Sequence, residues 1–314
     1  AMMLERISEH IWIMPGDDET DRPVLGYVAG TKTALLVDAG NSPDHISYFY
    51  GAVRSMGMPD PSFIALTHWH WDHVFGLSGS PAKSIASVAT NERLVLMHRW
   101  DWTDSALSSR IAAGLEIQWS ADMIRKAMPI RQSFKIKSAD ITFEDHCGLR
   151  IDDIECQMLH VGGPHSDDST VVYIPSEDVL FLGDCYAEDI YMHNSIRLRE
   201  LSPLLRRLEK IDAKWFIPSH GEPMEKGAFL EEMEKVEKIG KLVGKITSDG
   251  ALAATLEKGL GRPATEDELT TGKFFVAGNR LKPGEKKRFI DEKKANMHRG
   301  SDSRIDDILS EGFM

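Results

Sequence analysis

The stretch Phe63-Ile64-Ala65-Leu66-Thr67-His68-Trp69-His70-Trp71-Asp72-His73 runs from an apolar segment straight into three imidazoles and a carboxylate. A short apolar run of this kind predicts a buried strand, and residues two apart on extended chain project to the same side. His68 and His70 are therefore placed to grip one ion together. Asp72 and His73 come one step later, where the chain can turn and offer them to a second ion. Zinc favours imidazole nitrogen with some carboxylate oxygen. Without a cation, so many ionisable groups at the end of a buried strand would carry a heavy desolvation cost.

Three later segments repeat the pattern of apolar strand, turn and ligand-type residue. In Cys156-Gln157-Met158-Leu159-His160-Val161-Gly162-Gly163-Pro164-His165 the glycines and proline allow the backbone a close approach before His165, the preferred ligand. His160, within the strand-like part, reads as a hydrogen-bonded core histidine. Asp178-Val179-Leu180-Phe181-Leu182-Gly183-Asp184 delivers a carboxylate with oxygens enough to bridge two ions, and Trp215-Phe216-Ile217-Pro218-Ser219-His220-Gly221 runs from strand to an imidazole and a glycine, His220 completing the shell of the second ion. Asp167 and Asp168 read as turn or cap acids. His10, His45, His98, His146, His193 and His298 have no ligand-type partner at useful spacing and read mostly as surface or hydrogen-bonded residues.

In these motifs the chain resembles the metallo-β-lactamase superfamily of binuclear metal hydrolases, over about residues 4 to 245. The resemblance implies an α/β fold, the four-layer αββα sandwich. It implies His68, His70 and His165 on one metal, Asp72, His73 and His220 on the other, and Asp184 between them, with Asp72 and Asp184 the catalytic acids. Val37-Asp38-Ala39-Gly40 matches the family's early Asp-x-Gly, which makes Asp38 an orienting hydrogen-bond partner. True β-lactamases of the family commonly carry cysteine where Asp184 stands, and the loop after it lacks a clear lysine for a drug carboxylate. The run from Thr67 to His73 is closer to the glyoxalase II and lactonase branches.

The expected activity is a metal-dependent hydrolase in which a metal-bound hydroxide cleaves an ester, lactone, thioester or amide bond, with two divalent ions, zinc by preference and iron or manganese as alternatives. An iron-dependent persulfide dioxygenase-like oxidoreductase, a phosphodiesterase and a non-catalytic metal-stabilised scaffold are the competing readings. Lys and Arg total 37 against 49 for Asp and Glu, a net charge of -12 that repels long polyanions. The expected partner is thus a small-molecule substrate, with no nucleic acid. An apolar content of 42% is ordinary for a globular chain, and no apolar run approaches the roughly 18 residues that span a bilayer. With no leader pattern at the start, the expectation is a cytoplasmic protein without membrane attachment. Cys147, Cys156 and Cys185 are odd in number and lack C-x-x-C spacing, so they read as reduced thiols, Cys185 as buried and inert.

Along the chain, short strands at residues 11–14, 25–28 and 34–37 precede a helix at 44–55. Residues 91–131 change to a helical insertion following the first metal motif, read either as a lid lined by Trp100, Trp102 and Trp119 or as a layer whose tryptophans fill core. A hairpin is expected around 144–148. Tyr186, Tyr191 and His193 fall in a loop near the metals, where a tyrosine can donate to a developing oxyanion. Residues 225–256 read as one amphipathic helix. Gly259 to Pro263 break it and Thr265 to Glu268 form a capping box. Residues 1–258 are thus expected to be the catalytic domain and 259–314 a C-terminal helical extension. Its charge run at 282–294 reads as a solvated face, or else the extension is an arm that pairs two copies or reaches the active site through Phe274 and Phe275.

Overall fold

The computed structural model describes residues 4–282, 284 and 285. The first sheet contains, in spatial as in chain order, β1 (Glu5–Arg6), β2 (Ile11–Met14), β3 (Leu25–Ala29), β4 (Ala34–Val37), β5 (Pro61–Ala65), β6 (Lys83–Ser87) and β7 (Ile141–Phe143). It begins as an antiparallel meander and becomes parallel from β4 to β7. The second sheet is built from β8 (His146–Ile151), β9 (Ile154–His160), β10 (Thr170–Ile174), β11 (Val179–Gly183), β12 (Trp215–Pro218) and β13 (Met224–Glu225), antiparallel except for the parallel pair β11 and β12.

The helices are α1 (Pro43–Ser55), α2 (Trp71–Val74), α3 (Val88–Met97), α4 (Asp104–Ala112), α5 (Gln118–Ala127), α6 (Leu198–Glu209), α7 (Lys226–Val243), α8 (Asp249–Leu260) and α9 (Glu266–Arg280). No described helix is long and apolar enough to cross a membrane.

Period-two alternation along the strands divides their apolar side chains among three cores. On β4, Leu35 and Val37 enter the seam between the sheets while Ala34 and Leu36 face α1 and the insertion helices. On β11, Val179 and Phe181 enter that same seam while Leu180 and Leu182 face α6 to α9. Because both faces of both sheets are apolar, each outer face needs a helical cover, and the result is the αββα sandwich. The seam is tight. A Cβ on Gly26 of β3 would lie 2.4 Å from the Phe181 ring of the opposite sheet.

Local chemistry explains the element ends. Ser42 caps α1 through the His45 amide with Pro43 at its first turn, and Thr265 and Glu268 close the expected capping box on α9.

Two expectations are corrected and an open alternative is resolved. Residues 144–148 are no hairpin: β7 and β8 belong to different sheets, so the chain crosses between layers there, and the hairpin is β8 to β9, turning at Asp152 with φ +50°. The single helix over 225–256 is two, because Gly244 ends α7 with φ +58°. The tryptophans of the insertion divide: Trp100 and Trp102 are buried, packed around Phe75 and Phe134 and under the Arg110 guanidinium, whereas Trp119 is 47% exposed.

The boundary expected between 258 and 259 falls inside α8, and α9 packs on α7. Phe275 is buried against Gly240 of α7. His298 and the part of the 282–294 charge run beyond residue 285 lie outside the described residues.

Candidate metal centre

Parallel strands end on the same side, and the candidate ligands use this. Residues 68–73 follow β5, Asp184 follows β11 and His220 lies just beyond β12, while His165 comes from the β9–β10 loop. Two hydrogen bonds lock these ends together: the Thr170 amide donates to the Thr67 carbonyl across the sheets at 2.7 Å, and the Ser219 amide donates to the Gly183 carbonyl at 3.2 Å. Gly183 has φ +57°, and a Cβ there would lie 2.7 Å from the Thr67 Cβ. This left-handed turn, which favours glycine, aims Asp184 toward the first sheet. Gly163, with φ +135°, brings the chain onto the Cys185 carbonyl, where a Cβ would stand only 2.2 Å away.

All seven residues expected as ligands converge, in two groups. His68, His70 and His165 form one; Asp72, His73, Asp184 and His220 form the other. Within the first, His70 Nδ1 stands 2.9 Å from His165 Nε2. In the second, His73 Nε2 is 3.0 Å from both Asp72 Oδ2 and Asp184 Oδ2, and His220 Nε2 is 3.1 Å from Asp72 Oδ2. Donor atoms on a tetrahedral zinc at 2.0–2.1 Å would lie about 3.3 Å apart. Asp184 Oδ2 is also 3.7 Å from His68 Nε2, His165 Nε2 and His220 Nε2. One carboxylate oxygen thus stands between both groups.

The tautomers suit a cation. Thr67 Oγ1 donates to Asp38 Oδ2 at 2.8 Å and so accepts from His68 Nδ1 at 3.0 Å. That leaves the His68 Nε2 lone pair buried with no hydrogen-bond partner among the described residues, an arrangement that is costly unless something electron-poor occupies the space beside it. His165 Nδ1 donates to the Glu188 carbonyl at 2.7 Å, turning Nε2 inward. His73 Nδ1 donates to Asp38 Oδ2 at 2.8 Å. Asp38 itself has φ +62° and is pinned by the Thr67 amide at 2.8 Å, and so orients two of the imidazoles, one directly and one through Thr67.

Electrostatics point the same way. Asp72 and Asp184 are buried, and a pair of carboxylates at such depth requires positive charge nearby. Burial alone would raise the Asp184 pKa, but His220 and His73 hold it well below the carboxylate range. Burial lowers the His68 pKa, with His73 and His165 adding to the shift, so that ring stays neutral. Burial also opposes charge on His220, yet Asp184 and Asp72 raise it to about 9. A site this acidic gathers protons on its imidazoles or metal cations in their place.

A cavity of about 420 Å³ opens onto His70, Asp72, His165, Asp184 and His220, a size suited to a small molecule.

One neighbour had no reading from spacing, and the others take the following places. Asp21 lines the cavity with Oδ1 3.7 Å from His220 Nδ1, and burial followed by repulsion from Asp72 pushes it up to about 7. Its only sequence signal is an acidic turn. Tyr191 stacks beside Trp69 and His70 at 5.2 Å and is tied to Ser120 and Glu116 of the insertion, so it supports the ligands from behind, while Tyr186 lines the cavity. His160 bonds the Asp167 carbonyl at 2.8 Å. Asp168 braces Ser166, which accepts from Trp69 Nε1 at 3.1 Å. Cys185 is buried, and desolvation pushes its thiol pKa up. His45 is fully buried and accepts a hydrogen bond from the Asn41 amide at Nδ1, the second of the two readings given for it.

Residues 20–220 match the profile of the Metallo-beta-lactamase superfamily. The chain belongs to that superfamily. Among curated proteins it is similar to a metallo-beta-lactamase type 2 of Bacteroides fragilis, 23% identical over 163 residues covering 49% of this chain and 51% of the relative. The chain thus spans about half the length of that curated relative. Among solved structures it is similar to a metallo-beta-lactamase from Pontibacter korlensis, with TM-score 0.52 and 18% identity over 74% of this chain and 99% of the other. Another from Hirschia baltica gives TM-score 0.52 and 15% identity over 74% and 96%. These likenesses concern the superfamily fold, which carries the seven convergent residues here at its strand ends.

Proposed function

We propose that this superfamily member is a metal-dependent hydrolase that cleaves an ester, lactone, thioester or amide bond in a small molecule. One observation carries the reading: Asp184 Oδ2 stands within 3.7 Å of imidazole nitrogens from both groups, beside the orphaned His68 Nε2 and next to an open cavity. His68, His70 and His165 would hold one cation, and Asp72, His73 and His220 the other. A set of five imidazoles and two carboxylates suits zinc. When bound, such a pair supplies a water acidified to near neutrality and polarises an acyl oxygen.

The chain's own groups do the rest. Asp184 Oδ2 lies between the two sets, where it can accept a hydrogen bond from an attacking water and orient it. Asp72 Oδ2 stands 3.0 Å from His73 Nε2 and 3.1 Å from His220 Nε2, where it would share the second cation with them. Tyr186 lines the cavity, and burial, then Asp184, keep its phenol protonated and available as a donor to an acyl oxygen.

The experiment is elemental analysis of the purified chain followed by turnover of esters, lactones, thioesters, β-lactams and phosphodiesters with zinc, manganese and iron. Two zinc ions with acyl hydrolysis support the proposal. Iron with oxygen uptake assigns the oxidoreductase reading instead.

A further inference from the structure

The cavity wall beyond the ligand residues comes from three helices, a loop and a turn that share no sequence motif. Helix α7 contributes Glu232, Met233 and Val236, α9 contributes Thr271 and Phe274, and α5 contributes Trp119. The loop after β11 adds Ile190, Ile196 and Glu188, and Asp21 closes the remaining side.

Two properties stand out. The wall is dominated by large apolar side chains, including the exposed indole of Trp119 at the rim and the ring of Phe274, which is partly buried. Its ionisable groups other than the ligands and Tyr186 are three carboxylates, Asp21, Glu188 and Glu232, and among the described residues no lysine or arginine lines it. Acids set in apolar walls focus a negative potential on the opening, and the net charge of -12 adds to it.

From this wall we infer that the substrate is a neutral or cationic acyl compound with an apolar arm, the arm lying against Trp119, Met233, Val236 and Phe274, and that Glu188 and Glu232 turn away substrates carrying a carboxylate or phosphate. The inference rests on the hydrolase reading above and names the substrate class for the same site. An apolar arm leaves water for the faces of α7 and α9 and gains on binding with each methylene, whereas an anionic group against this wall meets Glu188 and Glu232 with no lysine or arginine to pair with among the described lining residues. Phe274 and Trp119 are thus specificity-determining residues, and α9 is part of the substrate site.

The test uses binding, so it does not depend on turnover. Methyl ketones with arms of four and eight carbons, the longer one ending in methyl, trimethylammonium or carboxylate, are titrated by calorimetry into the full chain, zinc-loaded and metal-free. The eight-carbon methyl-ended probe is expected to bind at least about tenfold tighter than the four-carbon one, and the carboxylate-ended probe at least about tenfold weaker than the methyl-ended one. Phe274→Ala should erase most of the chain-length gain. Trp119→Ala, at an exposed position outside the core, should halve it or more. Glu232→Lys should restore the carboxylate-ended probe by about fivefold or more.

Equal binding of short and long arms, equal or tighter binding of the carboxylate, or failure of every ketone to bind overturns the inference. Ketone binding in the expected order with no turnover of any ester, lactone, thioester or amide by the metal-supplemented chain would leave the wall's preference standing and remove the hydrolase reading instead.

Discussion

Thr67→Val tests whether the orienting network, and not proximity alone, makes this a metal centre. Valine matches threonine in shape, so the contact with Gly183 is kept while one hydroxyl is lost. That hydroxyl donates to Asp38 at 2.8 Å and accepts from His68 Nδ1 at 3.0 Å. Asp38 keeps the Thr67 amide and His73 Nδ1, so its loss is about 1 kcal/mol. His68 Nδ1 is left buried without its partner, which costs about 1–3 kcal/mol, and the ring becomes free to take the tautomer that points a proton at the ion. Removing such a supporting partner weakens metal binding by roughly 10- to 100-fold. The ion expected on His68, His70 and His165 should weaken by that factor, and the other by much less. Cobalt titration against a chromophoric chelator, following the two binding phases separately, gives the readout, with Thr67→Ser as the control that restores the hydroxyl. Two phases within twofold of the unaltered protein would refute the argument that Thr67 fixes the His68 tautomer.

Other predictions follow from the same geometry. Asp184→Ala should lower bound metal from two ions to one or fewer, measured by mass spectrometry of the metal content, and remove most turnover. His45 is buried and neutral, its pKa lowered to about 3 by desolvation first and Arg22 next. The stability it contributes is complete above pH 6.5 and falls by about 1.4 kcal/mol per unit as the pH drops from there toward 3. In chelator-treated samples, urea midpoints at pH 7, 6 and 5 should therefore decline more steeply for the unaltered chain than for His45→Asn. Glu237, joining α7 to α6, is held at about 2 by Lys241 first and Ser202 next. The shift would be worth ~3 kcal/mol in full, but the Lys241 and Arg206 side chains are more than half exposed, so about 1 kcal/mol is expected. Glu237→Gln should lose that amount at pH 7, and the deficit should vanish as the pH falls from about 4.5 toward 2.

What could be read from the chain was what lies close together along it. His68 to His73 are adjacent in sequence, so one strand end announces four ligand-type residues. Asp184 and His220 each follow a short apolar run, and His165 follows a glycine turn, so their strand-end positions were legible too. Strands β2 and β4 were legible as short continuous apolar runs because each face of each strand meets a different core.

Groups joined only by tertiary packing were not legible. Asp21 and Glu188 reach the cavity from a turn and a loop with no shared spacing, whereas Phe274, singled out as a residue by which the extension could reach the site, does line it. Trp119 differs from Trp100 and Trp102 only in which side of the insertion it occupies. The crossing between β7 and β8 read as a hairpin because two strands divided by a short turn look alike whether or not they pair. Gly244 was invisible as a break because the apolar period resumes on α8.

The tight seam at Gly26 and Phe181 has a consequence for how this molecule can change. The seven convergent side chains are contributed by both halves of the sandwich, so their spacing is held by how one half is seated on the other. A bulkier residue at Gly26 would wedge the halves apart far from any imidazole, and its first symptom would be a leaky grip on ions in a chain that still folds. Substitutions in the middle of the molecule thereby act as a tuning screw for chemistry at its edge.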